Sequence, residues 1–272
     1  MSVARKKPLR VAFVGWGAIA RRVVALVASR NDDIVVAGVA TRRAPSNDRE
    51  LPVGARWLPS PDDLRDLAPD LVVEAAGRAA VETWGIASLR HARALAVCST
   101  SAFTDDALLA RLVGEAERCG SQILVPPGAL GGLDALAAAG RLPLQRVSHR
   151  IVKPPAAWRG TAAEELIDLA TLTSAQAFFS GTAREAAARF PANANVAVIS
   201  ALAGLGLDRT EVMLVADPAA TQNSHHLSAR GDFGCLQVIV ENRPLAANPR
   251  TSELTALSVV RLIEGRSRPL SL

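Results

Sequence analysis

The chain has 272 residues, 49% hydrophobic and 21% charged, enough for one large or two ordinary globular domains that bury cores without staples. Its longest apolar run, Val196 to Leu207, falls well short of the ~20 residues of a membrane span. Three cysteines without CxxC spacing argue for reduced thiols in the cytosol, and against both a disulfide framework and a zinc site; the net charge of +5 sits on scattered arginines and aromatics are only 4%, so neither a metal nor a nucleic-acid partner is expected.

The opening stretch "RKKPLR" followed by "VAFVGWGAIA" fits either an export signal or a nucleotide-binding turn. A signal needs a small-residue cleavage site after its apolar core. Here Arg21 and Arg22 follow instead, and then Val23, Val24 and Val27 at helical spacing. The second reading predicts a strand "LRVAFV", a Gly-x-Gly-x-x-Ala turn, a helix to about Ser29 and a second strand "DIVVAGVA". Gly15 permits the tight turn, Gly17 lets a pyrophosphate approach, and Ala20 lets helix and strand pack closely. Ala18 and Ile19 open the helix, whose free N–H groups face the phosphates.

In a dinucleotide fold the end of the second strand contacts the adenosine ribose. The sequence there is "VATRR", with Thr41, Arg42 and Arg43 and no carboxylate before Asp48. Arg42 suits a 2′-phosphate, so NADP is expected to serve at least as well as NAD. Tyrosine is absent from the chain, which excludes the dehydrogenase and reductase classes that use a tyrosine hydroxyl as proton donor.

Further along, "DLVVEAA" and "ALAVCSTS" read as strands, with helices from about Ala79 to His91 and from an N-cap at Thr104 to Cys119, and "SQILVPPGA" as a strand stopping at Pro126. The alternation predicts an α/β fold: a doubly wound parallel sheet of Rossmann type over residues 1–130, with ligands at the strand C-termini. After residue 130 the pattern changes. "RVSHRIVKPP", "TEVMLVADP", "NSHHLSAR" and "DFGCLQVIVENRP" read as strands, and "TAREAAARF", "NVAVISALAGLG" and "TSELTALSVVRLIE" as helices. Residues 131–272 are expected to form a second, α+β domain with a mostly antiparallel sheet, sharing a cleft with the first, and the helix at about 251–264 to return to the first domain.

A nicotinamide enzyme needs a group that handles the proton while the cofactor handles the hydride, and histidine is favoured near neutral pH. His91 reads as a surface residue and His149 as structural. His225 and His226 are adjacent on one strand and point to opposite faces, so one alone can serve, and alternation does not say which. Asn193 and Asn195 precede an apolar helix, Asn195 as a candidate N-cap. Asn248, Thr251 and Ser252 form another helix start able to hold an anion.

The strings "GAIARR", "PPGALGGLDAL", "KPPAAW", "GTAREAAARFPANANVAVISALAGLGLDRTEVMLVADP", "NSHHLSARGDFG" and "NPRTSELTALSVVRLI" together closely resemble the L-aspartate dehydrogenase family, nearly end to end. The resemblance implies NAD- or NADP-dependent oxidative deamination of L-aspartate to iminoaspartate, which feeds NAD biosynthesis or hydrolyses to oxaloacetate and ammonia. It places the catalytic histidine at His225, within Asn223-Ser224-His225, and Ala129 and Asn195 at the cofactor. Two positions depart from the family pattern: Pro127 where serine is common, and His226 where glutamate is common. The second puts the pH optimum in question rather than the reaction. For the substrate carboxylates, Lys153, Asn248 and Thr251 are the candidates, and a cytoplasmic homodimer is expected. Two other readings stand beside this one: a dehydrogenase of the same architecture acting on another amino acid or a semialdehyde, and a non-catalytic dinucleotide-binding sensor.

Overall fold

The computed structural model describes residues 7–30, 33–46, 51–191 and 194–271 and divides the chain into two compact units, residues 1–126 with 255–272, and residues 127–254.

In the first unit, β1 (Leu9–Val14) ends in four consecutive buried residues, the pattern of a strand covered on both faces. It is followed by α1 (Ala18–Ala28), β2 (Ile34–Ala40), β3 (Arg56–Trp57), α2 (Asp63–Leu67), β4 (Leu71–Glu74), α3 (Arg78–His91), β5 (Ala94–Val97), α4 (Asp106–Cys119) and β6 (Gln122–Leu124). The six strands are parallel in the order β3-β2-β1-β4-β5-β6. That order reverses direction between β1 and β4, the switch point at which such sheets bind ligands. Two-residue β3 and five-residue α2 were not expected from the sequence. Helix α4 is capped by Asp105, whose side chain accepts from the Leu108 N–H, and not by Thr104. Thr104 instead closes a 3-10 turn over Thr100–Thr104 by donating its hydroxyl to the Ser101 carbonyl.

The second unit contains α5 (Leu133–Ala139), β7 (Leu144–Lys153), β8 (Gln176–Thr182), α6 (Ala183–Arg189), α7 (Ala194–Ala203), β9 (Glu211–Ala216), β10 (Asn223–Gly231), β11 (Gly234–Asn242), β12 (Pro244–Leu245) and β13 (Asn248–Ser252). Five strands form one sheet in the order β11-β10-β7-β9-β8. Its pairs are antiparallel except β7 with β9, which are parallel. A parallel neighbour requires a long crossover, supplied here by the chain that carries β8, α6 and α7. The inner face buries Val147, Leu227 and Ala229 with Leu136 and Ala139 of α5.

The last helix, α8 (Glu253–Ser267), starts two residues beyond the expected Thr251, because Asn248–Ser252 is extended and pairs with β12. Ser252 caps the helix by accepting from the Leu254 N–H. Ala256, Val259, Val260 and Ile263 of α8 lie in the same core as Val11, Phe13 and Val73.

Candidate active site

At the end of β1 the chain turns through Gly15, whose φ of +101° lies in the region that favours glycine. A Cβ at this position would lie 2.8 Å from the Ala75 carbonyl oxygen, so the turn and the end of β4 approach too closely for any side chain. Gly17 differs. It precedes α1 with ordinary extended angles, and a Cβ there would meet no atom within 4 Å. No side chain caps α1, and its first turn holds no acidic residue. The first N–H groups of Ala18 and Ile19 therefore keep their partial positive charge for an anion.

Across the switch point, Glu74 ends β4 with only 1% of its surface exposed. Its carboxylate accepts from the Ala76 N–H at 2.7 Å, the Gly77 N–H at 2.9 Å, the Ser99 N–H at 3.0 Å and the Ser99 hydroxyl at 2.8 Å. One buried carboxylate thus fixes the loops that follow β4 and β5. The sequence carried a signal for it, a lone charge at the end of the apolar run "LVVE", since a buried charge must be fully hydrogen-bonded. After β2, Thr41 accepts from the Trp57 indole N–H at 3.1 Å, while Arg42 and Arg43 are exposed.

In the second unit, β7 and β10 pair with His225 opposite Ile151 and Leu227 opposite His149. The two histidines are therefore diagonal neighbours on the inner face. His149 Nε2 lies 3.1 Å from His225 Nδ1, and His149 Nδ1 lies 3.0 Å from Ser200 Oγ on α7. Ser200 also donates its hydroxyl to the Ala197 carbonyl at 3.0 Å. His149 is fully buried and His225 is 4% exposed. Burial pushes the His149 pKa down to about 3. It also drives His225 well below the ordinary histidine value, with the neighbouring His149, Lys153 and His226 adding to the effect. Both rings are therefore neutral at neutral pH. His226 points to the opposite face, where its Nε2 lies 3.1 Å from Ser224 Oγ.

Lys153 ends β7 with its ammonium 5.0 Å from the centroid of the Trp158 ring, and burial lowers its pKa to about 8. Trp158 is itself anchored by its indole N–H on the Val215 carbonyl at 3.0 Å. The loop carrying Ala129 is tied down by buried Asn242, which donates to the Ala129 carbonyl at 3.0 Å and accepts from the Ser252 hydroxyl at 2.6 Å. Asn242 was not singled out by the sequence, because its partner lies far away along the chain. Asn195 is exposed at the second position of α7, one residue inside the helix rather than at its cap. Asn193 lies outside the described residues. Asn248 and Thr251 stand on a strand rather than at a helix start, and the Asn248 amide donates to the Thr251 hydroxyl at 3.0 Å. Among the described residues no group of three or more His, Cys, Asp or Glu side chains could hold a metal ion.

The family profile described as "Aspartate dehydrogenase, C-terminal" matches residues 134–266, and that described as "Homoserine dehydrogenase, NAD binding domain" matches residues 15–126. An L-aspartate dehydrogenase of Brucella anthropi is 53% identical over 94% of this chain and 96% of its own. One of Cupriavidus necator is 43% identical over 97% of this chain and 100% of its own. The chain belongs to the L-aspartate dehydrogenase family.

The crystal structure of aspartate dehydrogenase from Thermotoga maritima superposes with a TM-score of 0.78 at 26% identity, covering 97% of this chain and 99% of that one. As an oxidoreductase of the aspartate dehydrogenase family, the protein uses NAD or NADP, and its first unit fits such a dinucleotide. The open space over Gly17 admits a pyrophosphate against the backbone, and the uncapped start of α1 supplies the donors. Arg42 is exposed and follows the end of β2.

Proposed function

We propose that the protein catalyses the NAD- or NADP-dependent oxidative deamination of L-aspartate to iminoaspartate, with His225 as its acid–base residue. Membership of the L-aspartate dehydrogenase family supports the substrate, and the observation that carries the role of His225 is its ring: neutral, nearly buried, and hydrogen-bonded to protein through Nδ1. When bound, the dinucleotide accepts the substrate's Cα hydrogen as hydride. For the Cα–N bond to become an imine, the substrate's ammonium must first lose a proton, and an uncharged imidazole is the base for that step. Once that proton has passed to solvent, the neutral ring takes a proton from the attacking water in hydrolysis and returns it to the departing amine.

In this reading Gly15, Gly17, Ala18, Ile19 and Arg42 hold the dinucleotide, with Ala129 and Asn195 also at the cofactor. Lys153 is the counter-charge for one substrate carboxylate, and its lowered pKa leaves it mostly charged at pH 7. Asn248 and Thr251, whose side chains are hydrogen-bonded to each other at 3.0 Å, are the polar groups for the other. The product feeds NAD biosynthesis or hydrolyses to oxaloacetate and ammonia. The protein works in the cytoplasm; no helix among the described residues is long and apolar enough to cross a membrane.

A homodimer completes the proposal. Ile239 of β11 and Met213 of β9, 65% and 39% exposed, lie in one cross-strand row on the outer face of the sheet with His226 and Arg150. Sedimentation equilibrium tests it, a dimer being expected and a monomer at micromolar concentration contradicting it.

Reduction of NAD and NADP, followed in parallel with L-aspartate, D-aspartate, L-glutamate and L-alanine, tests the substrate. Turnover is expected with L-aspartate far above the other three. Preference for another amino acid overturns the proposal.

A further inference from the structure

Ser200 has one hydroxyl proton and two polar neighbours at the same distance, 3.0 Å each: the Ala197 carbonyl and His149 Nδ1. A carbonyl oxygen can only accept, so the Ser200 proton goes to Ala197, and the Ser200 oxygen must accept from His149. That puts a proton on His149 Nδ1. His149 is sealed from water and neutral, so it has only that one ring proton, and its Nε2 is an acceptor. The partner 3.1 Å away, His225 Nδ1, must then be the donor. The opposite assignment sends the Ser200 proton to His149 and leaves the Ala197 contact unmade, so it satisfies one bond fewer.

We propose that Ser200 and His149 form a relay that fixes the tautomer of His225, holding its proton on Nδ1 and leaving the lone pair of Nε2 as the base that faces the substrate. His149 and Ser200 are positioning residues in this scheme, and the relay rests on the aspartate dehydrogenase reading in which His225 is the acid–base group. The chemistry favours a histidine over a carboxylate behind the base. A carboxylate at the position of His149 would orient the ring equally well but would favour its charged form and raise its pKa. A neutral imidazole orients it without adding charge, so His225 stays unprotonated in the resting enzyme. Lys153 and His226, the charged or titratable groups that act on His225 besides His149, oppose its protonation as well.

The direct test is the tautomeric state of each histidine in the intact, substrate-free protein, read from long-range proton–nitrogen correlations after labelling histidine with 15N and assigning His225 with a His225→Gln variant. The relay predicts a protonated Nδ1 and a bare Nε2 on both His149 and His225 at pH 7.5. In Ser200→Ala the acceptor for His149 is gone, so the reversed tautomers appear and His225 Nε2 gains a proton. With them kcat for L-aspartate falls roughly 10- to 1000-fold, within the loss a wrongly tautomerised base suffers, while KM changes less than about threefold. Ser200→Thr restores the hydroxyl, the wild-type tautomers and most of kcat.

A wild-type spectrum with the proton on His225 Nε2 overturns the relay, and needs no variant to fold. So does a folded Ser200→Ala protein with wild-type tautomers and wild-type kcat. Failure of the relay is distinguishable from failure of the functional reading. An enzyme that oxidises L-aspartate with His225 protonated on Nε2 refutes the relay alone. The expected tautomers in a protein inert toward L-aspartate support the relay and refute the reading.

Discussion

The carboxylate of Glu74, at the end of strand β4, and residue Ser99, in the loop after the adjacent strand β5, are joined twice: Glu74 accepts the Ser99 N–H at 3.0 Å and its hydroxyl at 2.8 Å. With the Ala76 and Gly77 N–H groups on the same side chain, this carboxylate organises the switch point of the nucleotide-binding sheet. Replacing Glu74 by Ala strands the buried Ser99 N–H and hydroxyl, each costing about 1–3 kcal/mol when left unpaired, and frees the more exposed Ala76 and Gly77 N–H groups to water. The expected outcome is a lower melting temperature together with a weaker dinucleotide, measured by calorimetry and by fluorescence titration with NADH. Glu74→Gln keeps the shape but turns an NH2 group toward N–H donors, so it is expected to fall in between.

Gly15 and Gly17 separate by mechanism although they belong to one motif. Gly15→Ala forces a side chain onto a φ of +101° and against the Ala75 carbonyl, so the protein is expected to lose stability even without cofactor. Gly17→Ala meets no neighbour and is expected to leave the melting temperature nearly unchanged while raising the dinucleotide Kd at least tenfold. Comparable loss of stability in both variants contradicts this division.

Arg42 is expected to set the balance between the two dinucleotides. A charge-assisted contact to a 2′-phosphate contributes about 1.5–3 kcal/mol, so Arg42→Ala should raise KM for NADP roughly 10- to 100-fold and leave KM for NAD within about twofold. Equal effects on both cofactors refute the assignment. So does a wild-type KM for NADP more than about tenfold above that for NAD, since a 2′-phosphate contact of this strength favours NADP.

Much of the first unit is legible in the sequence because its signals are local. The strand "LRVAFV", the glycine turn and the helix that follows lie within some twenty residues, and each short apolar run among 71–97 becomes a buried strand. The second unit depends on contacts far apart along the chain. Alternation put His149 on a strand but could not reveal that it touches His225, because that requires the register of β7 against β10. "QAFFSGT" becomes strand β8 through pairing with β9 rather than through any strong pattern of its own. Asn248–Ser252 carried genuine capping chemistry at Ser252, yet the residues before it are held extended by β12, so Asn248 and Thr251 offer an anion their side chains rather than the free N–H groups of a helix start.

The buried histidines make stability depend on acid. His149 has a folded pKa of about 3 against an ordinary value near 6.5, so between those limits the unfolded chain binds a proton that the folded chain does not. Stability is whole above about pH 6.5 and falls as pH drops, by up to about 1.4 kcal/mol per pH unit for that one group. His225, shifted in the same direction, adds to the slope. Urea midpoints measured from pH 7.5 to 5 are expected to fall, and the dependence to flatten in His149→Gln. Midpoints independent of pH in this window contradict the assignment.

The turnover number of His225→Ala with L-aspartate, set beside that of His226→Ala, tests the central claim most directly. The account predicts a fall in kcat of roughly 100- to 10,000-fold at His225, the usual contribution of a general acid–base group, and less than about threefold at His226 on the opposite face of the sheet. Equal losses at the two positions, or an unchanged kcat at His225, would contradict it.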